Sequence, residues 1–344
     1  MLFSRNLAID LGSCNTRVYA KGTGTVLNEP SIIAFNTSAR EVIAVGEEAK
    51  NMVGRTPNDV ASVSPVSHGT VTDLLTTKAM FRYFLRHLYR GKLLLARPHL
   101  LQCIPYGLTD TERRVLADVA IQAGFSDGGT HLLEQPVAVA LASGMNVTAP
   151  VGNMVLDVGG GLTEVAIVSM GGVVISRSTP VAGNTMNDDI VRFVQREFHL
   201  MIGEQTAEQI KIRLANAYFD PYAEEEKLEI KGRDLETGLP RIVEMTNFQA
   251  GMAIRESVDA IVAVVLSTLE NTPPELAADI SQNGMVLAGG GALLRGLDRV
   301  LSEKTEIPVR LAPDPMSAVI NGAGIVLDHP KEYRNLPVPL RSIL

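Results

Sequence analysis

Two stretches of this chain, "LAIDLGSCNTRVYA" (7–20) and "MVLDVGGGLTEVAIV" (154–168), carry one pattern: an apolar strand ending on a carboxylate, a turn of small residues, and a second strand. Aligning 7–18 with 154–165 puts Asp10 on Asp157, Gly12 on Gly159 and Thr16 on Thr163. Repeated units of this kind that face each other make a natural site at their interface. A tight hairpin of small residues brings backbone N–H groups close to a phosphate, because glycine permits the approach. Hydroxyls such as Ser13 and Thr16 add donors. The two carboxylates repel a phosphate, so they address it through a divalent cation. Mg²⁺ suits that task, held by one or two carboxylates plus phosphate oxygens and water.

Either turn alone is weak, since a D-x-G hairpin is mostly structural. A third cluster, "MVLAGGGALLRGL" (285–297), strengthens the reading with an apolar strand, a glycine turn and a helix. Its backbone can lie flat against a base or ribose, or it can serve only close helix–strand packing. Neither the Walker A pattern nor the Rossmann G-x-G-x-x-G occurs.

The rest of the chain sets bounds. At 344 residues two domains are the default. A net charge of −7 argues against a primary nucleic-acid binder, and no nucleic-acid partner is expected. Two cysteines make no disulfide framework and point to a reduced, cytosolic chain. No signal peptide or membrane-spanning run is expected, and the histidines show no metal-ligand spacing. Strands are predicted near 7–10, 16–21, 31–35, 42–45, 100–104, 154–158, 164–168, 173–177, 285–288 and 308–311. In "LTDTERRVLADVAIQAG", Thr109 and Glu112 form a capping box and Gly124 stops the helix. "EQPVAVALASG" has Pro136 in a first turn, and 186–200, 204–216, 247–270, 292–303 and 315–327 carry helical periodicity. The charged segment 218–245 reads as a small inserted lobe with a short strand pair. The alternation gives an α/β class with sheets covered by helices.

Together the three turns resemble the actin-type nucleotide-binding superfamily, and more narrowly the MreB family of bacterial actins. "IDLGSCNTRVYAKGTGTVLNEPSIIA", "IPYGLTDTERRVLADVAIQAG", "LDVGGGLTEVAIVS", "IGEQTAEQIK", "PPELAADISQNGMVLAGGGALLRGLDRVL" and "DPMSAVINGAG" match in order and spacing over about 7–328. The resemblance implies an actin-like fold of two duplicated lobes, each with a central sheet flanked by helices and a small inserted subdomain. The implied division is 1–32, 74–144 and 316–344 for subdomain IA, 33–73 for IB, 145–182 and 246–315 for IIA, and 183–245 for IIB.

The resemblance also assigns roles. Asp10 and Asp157 order Mg²⁺ through water. Gly12, Ser13, Cys14 and Asn15 hold the β- and γ-phosphates of ATP or ADP, and Gly159, Gly160, Gly161 and Thr163 embrace them from the other side. Glu208, Gln209, Ile210 and Lys211 bind the nucleotide from one helix, with Glu208 and Lys211 touching ribose and adenine. The bland alternative for that pair is a surface contact worth ~0.2–0.5 kcal/mol. Gly289, Gly290, Gly291, Ala292 and Leu293 complete the base pocket.

Departures from the family pattern are informative. Where two glutamates usually precede the helix proline, this chain has Glu134 and Gln135. Gln135 takes the place expected to orient the attacking water. An amide orients water but cannot accept its proton, so the expected hydrolysis is slow; the alternative is that Gln135 only caps the helix at Pro136. Leu162 replaces a usual threonine, and Ser13-Cys14 replaces Thr-Ala, with Cys14 read as a small packing residue.

In "RYFLRHLYRGKLLLARPHL" (82–100), Leu93, Leu94 and Leu95 sit between Lys92 and Arg97. They read either as a buried strand start or as a loop that dips into a bilayer beside anionic headgroups. The resemblance favours the loop, with Met1, Leu2, Phe3 and Arg5 assisting. It further implies head-to-tail filaments of paired protofilaments, peripheral on the inner face of the cytoplasmic membrane. These would meet the membrane-embedded cell-wall synthesis machinery and direct cell shape. Two rivals stand beside this reading: a specialised filament for organelle or plasmid positioning, which shares every motif, and a small-molecule kinase on the same fold, for which Asp73 is the loose candidate carboxylate.

Overall fold

The computed structural model describes residues 6–39, 41–55, 57, 59–67, 69–90, 97–220, 222, 224–336 and 338–339. Leu93, Leu94 and Leu95 lie outside the described residues, as do Met1, Leu2, Phe3 and Arg5.

The repeat is built as two equivalent sheet centres. Strand Asn6–Leu11 pairs antiparallel with its hairpin partner Asn15–Ala20 and parallel with His99–Ile104. Strand Asn153–Val158 likewise pairs antiparallel with Thr163–Ser169 and parallel with Met285–Ala288. The first sheet is completed by Gly24–Pro30, Thr130–Glu134 and Val338–Pro339, the second by Gly172–Thr179 and Val309–Leu311. Both acidic strands are buried on their two faces, which is why they read as continuous apolar runs. Each sheet delivers its aspartate at a strand's carboxyl end, just before the glycine turn.

Two short apolar helices, Gln135–Ala142 and Ala318–Asp328, fill the space between the sheets. Their core joins Ala8 and Leu101 of the first sheet to Val155, Ala166 and Val286 of the second through Ala138 and Ala323. The crossing is so close that a Cβ on Gly322 would lie 1.9 Å from the Ala138 carbonyl oxygen. The outer face of the first sheet is covered by Leu74–Leu88 and Asp110–Ala123, where Met80, Phe81, Phe84 and Phe125 are buried. The outer face of the second carries Gly183–Phe198, Glu204–Leu214, Arg255–Glu270 and Leu297–Thr305. Above the first sheet sits a small sheet of Glu41–Val45, Ile33–Asn36 and Val60–Val63; above the second sits Leu200–Met201, Lys227–Asp234 and Pro240–Thr246. The last two strands are the pair expected within 218–245.

Local signals held where caps were explicit. Thr109 and Glu112 form the reciprocal capping box, and Gly124 ends that helix with φ 128°. The expected helix 247–270 is two helices, Asn247–Ala253 and Arg255–Glu270, meeting at Ile254. The expected helix 292–303 is a 3₁₀ turn, Gly290–Leu293, followed by Leu297–Thr305; Gly296, at φ 73°, breaks the run. Asp73, the candidate of the kinase reading, is the N-cap of Leu74–Leu88 and accepts from Leu75 N–H at 2.9 Å. Among the described residues no helix is long and apolar enough to cross a membrane.

Candidate functional site

The two acidic hairpins face each other across a cleft of about 420 Å³. One wall is made by Asp10, Gly12, Ser13, Cys14 and Asn15, the opposite wall by Asp157, Gly159, Gly160 and Gly161. Glu208 and Lys211 come from the helix Glu204–Leu214, and Gly289, Gly290, Gly291 and Leu293 from the third glycine cluster. Residues spread over the whole sequence thus meet on one cavity, as the motif reading expected.

The hairpin loops nearly touch. The Cys14 thiol donates to Asn184 Oδ1 at 3.1 Å, joining the first loop to the start of helix Gly183–Phe198. A Cβ on Gly160 would lie 2.1 Å from Cys14 Sγ and 2.9 Å from Cys14 Cβ, so any larger residue there would push the two loops apart. Cys14 is therefore a cross-cleft contact rather than a packing residue of its own lobe. Loop shape comes from the backbone: Gly12 N–H donates to the Asn15 carbonyl at 3.1 Å, and Gly159 N–H to the Leu162 carbonyl at 2.9 Å.

Electrostatics follow from burial. Loss of water pushes the Asp10 carboxyl up to about 6, against the pull of the Arg17 guanidinium and the Gln135 amide. Burial and then the Asp10 charge push Asp157 up to about 7, with Arg17 opposing. Burial is the main cause at both carboxyls and only Asp157 also feels its neighbour's charge, so a cation brought between them would favour both ionised forms. Among the described residues no three His, Cys, Asp or Glu side chains gather to hold a metal. A pair of carboxylates that leaves the other positions to phosphate and water is the set Mg²⁺ uses, so these residues fit that ion.

Gln135 opens the helix Gln135–Ala142, and its Nε2 donates to Asp10 Oδ1 at 3.2 Å. The side chain makes no cap: Glu134 holds the N-cap position and no side-chain capping bond forms. The capping alternative for Gln135 is thus excluded, and its amide stands on the cleft wall beside Asp10. Glu134 is half-buried and 3.9 Å from Arg113, off that wall; burial raises its carboxyl, with Arg113 opposing.

Four further expected contacts are placed elsewhere. Thr163 is buried and donates to the Val181 carbonyl at 2.7 Å. Ile210 and Ala292 are core residues of the second lobe, and Gln209 points to solvent. Helical periodicity explains the split, since Glu208 and Lys211 share a face that Gln209 and Ile210 do not. Lys211 Nζ donates to the Gly183 carbonyl at 2.7 Å, and burial lowers its affinity for a proton. Glu208 pairs with Lys50 at 3.5 Å, and Gln205 Nε2 donates to the Lys50 carbonyl at 3.2 Å. Both contacts join helix Glu204–Leu214 of the second half to helix Glu47–Met52, which packs on the small sheet of the first.

Sequence reasoning passed over several wall residues. Arg17 and Glu164 stand directly across their hairpins from Asp10 and Asp157, and both are buried on the cleft. Glu164 Oε1 accepts from Tyr106 N–H at 2.9 Å and from the Ser176 hydroxyl at 3.2 Å. Burial above all pushes that carboxyl up to about 8, although the Tyr106 N–H opposes it. The repeat itself held the signal: the alignment that matches Asp10 to Asp157 also matches Arg17 to Glu164. Ile212, Leu293 and Met316 add exposed apolar surface on the wall far from the aspartates, a place for a flat base.

Comparisons with known proteins agree with this architecture. The model of the MreB/Mbl protein family matches residues 4–335. The cell shape-determining protein Mbl of Bacillus subtilis (strain 168) is 42% identical over 330 residues, covering 95% of this chain and 97% of Mbl. The cell shape-determining protein MreB of Escherichia coli (strain K12) is 42% identical over 331 residues, covering 95% and 94%. The crystal structure of MreB5 of Spiroplasma citri bound to ADP superposes with a TM-score of 0.89 at 33% identity, covering 96% of this chain and 97% of that one. The same protein bound to AMPPNP gives 0.88 at 34% identity, covering 95% and 96%. The MamK double helical filament, at 18% identity and a TM-score of 0.76, covering 93% and 98%, shows the shared fold alone. With its two repeated lobes and a family match along almost its whole length, the chain belongs to the MreB/Mbl family of actin-like, cell shape-determining proteins.

Proposed function

We propose that this chain binds ATP with Mg²⁺ in the cleft, hydrolyses it slowly, and polymerises into membrane-associated filaments that direct cell shape and cell-wall synthesis. The observation that carries the proposal is the cavity closed by two repeated hairpins, each with a buried aspartate and a glycine turn. That S. citri MreB5, similar along nearly the whole chain, is bound to ADP and to AMPPNP in its crystal structures supports a nucleotide as the ligand.

In this reading the phosphates lie between the two loops. Backbone N–H groups of Ser13, Cys14 and Asn15 face those of Gly160 and Gly161, and the bare Gly160 lets both loops approach one group. Asp10 and Asp157 hold the ion through water, and the bound Mg²⁺ would neutralise charge on the phosphate oxygens. Gln135, fixed by its bond to Asp10, orients the attacking water. Its amide cannot take the proton, so turnover is slow. Glu208 and Lys211 serve ribose and adenine, with the apolar wall of Leu293 and Met316 beneath the base. Glu208 then exchanges its pairing with Lys50 for the ribose, which links cleft closure to occupancy.

The division into subdomains IA, IB, IIA and IIB at the stated boundaries belongs to the same proposal, as does assembly by head-to-tail contacts that do not close into a ring. Leu93, Leu94 and Leu95 are proposed as the bilayer contact. A single inserted leucine contributes roughly 1.5–3 kcal/mol, so membrane attachment relies on many subunits in one filament. Phosphate release without any added acceptor, together with electron microscopy in Mg²⁺-ATP, tests the function. Filaments and acceptor-free turnover support it; turnover that requires a small-molecule acceptor sends it to the kinase class.

A further inference from the structure

Arg17 is a charged side chain on the cleft wall with no partner of its own among the described residues; Glu164 and Arg295 also line the cleft, but Glu164 accepts from Tyr106 and Ser176 and Arg295 pairs with Glu226. It lies on strand Asn15–Ala20 directly opposite Asp10, so both side chains leave the same face of the hairpin. It is 8% exposed and lines the cleft. Its Nε has no hydrogen-bond partner, and no ion pair to its guanidinium forms among the described residues. Asp10, its nearest cross-strand neighbour, already accepts from Gln135. A buried cation with unsatisfied donors is costly unless an anion completes it. The other cations that line the cleft are already engaged, Lys211 with the Gly183 carbonyl and Arg295 with the Glu226 carboxylate, and the loops beside Arg17 are neutral.

We infer that Arg17 is a direct phosphate ligand of the cleft, a fixed cation that meets the β- or γ-phosphate between the two hairpins. The inference rests on the nucleotide reading of the cleft and adds to it a metal-independent source of affinity. A planar guanidinium offers donors in a fork that matches phosphate oxygens, and desolvation strengthens such charge-assisted bonds. A neutral residue at this position would remove the unpaired cation beside Asp10 and leave the phosphates to the loop N–H groups and the ion at Asp10 and Asp157. With Arg17 the cleft holds the phosphates before and after the ion is present.

The test is equilibrium titration of the full chain with ATP, ADP and adenosine, each in Mg²⁺ and in EDTA. Arg17→Gln is expected to weaken ATP and ADP about 10- to 100-fold in both buffers and to leave adenosine unchanged, the loss typical of a charged hydrogen bond. Arg17→Lys keeps the charge without the fork and is expected to lose about three- to tenfold in both buffers, which carries the test if the glutamine variant does not fold. An ATP loss confined to Mg²⁺ overturns the inference, because Arg17 would then act only by compensating Asp10 and Asp157. Variants that bind ATP in EDTA as the wild type does also overturn it, while leaving the nucleotide reading intact. A wild-type chain that binds no nucleotide overturns both.

Discussion

Replacing Gly160 by alanine probes the approach of the two hairpins with a single methyl group. The added carbon would stand 2.1 Å from Cys14 Sγ and 2.9 Å from Cys14 Cβ. Ordinary contact between such atoms is about 3.5–4.0 Å, so the loops must part by about 1.5 Å, and swinging the thiol aside relieves only part of this. Gly160 has an ordinary negative-φ backbone, so no conformational strain confuses the result. Overpacking of this kind costs about 1–3 kcal/mol. If the phosphates bind between these loops, the cost appears as a loss of about 5- to 150-fold in Mg²⁺-ATP affinity. The double variant G160A/C14G removes both offending atoms and is expected to return to within about threefold of wild type, since the nearest remaining atom, Asn184 Oδ1, is 3.6 Å away. The assay is a nucleotide titration of the three proteins, with melting curves to confirm folding. Full affinity in G160A, or a double variant as weak as G160A, refutes the close approach of the loops across one phosphate.

Gln135→Ala is expected to slow phosphate release roughly 10- to 100-fold at unchanged ATP affinity, because positioning of the water is lost and binding is not; single-turnover kinetics would show it. The nucleotide-free chain is expected to melt at a lower temperature as pH rises between about 5 and 8, because carboxyls raised by burial contribute stability below their ordinary values and lose it as they ionise in the fold. Asp10, Asp157 and Glu164, raised to about 6, about 7 and about 8, all act in this direction. Glu164→Gln keeps the acceptor for Tyr106 N–H, so it should flatten the upper part of that decline; scanning fluorimetry across pH decides. Replacing Leu93, Leu94 and Leu95 together by serine is expected to abolish co-sedimentation with anionic vesicles while leaving nucleotide binding within about twofold, since each leucine gives up roughly 1.5–3 kcal/mol of insertion.

The sequence shows its site where small residues leave no other use for a pattern. Gly12, Gly159 and the cluster from Gly289 were readable because each follows an apolar strand and the order repeats. Explicit caps, such as Thr109 with Glu112, placed a helix to the residue. What escaped depends on register and on distant packing. Arg17 sat inside the first quoted stretch, yet its meaning appears only when strand pairing sets it opposite Asp10 in a dry cleft. Glu164 gains its high pKa from burial, although the Tyr106 N–H arriving from the other lobe works against it. Strand Thr130–Glu134 was hidden because its end carries the strong helix-start signal of Gln135 and Pro136. The break at Gly296 was hidden because glycine is tolerated in a periodic run until the chain needs φ of 73° there.

Whether one triphosphate and its ion are gripped by both halves at once can be decided by a single titration series: ATP affinity against Mg²⁺ concentration for the wild type, Asp10→Asn and Asp157→Asn. Saturable binding that strengthens with Mg²⁺ in the wild type, and loses that dependence when either aspartate is changed, is the expected result. Binding that ignores Mg²⁺, or that survives both substitutions with its Mg²⁺ response intact, contradicts the account.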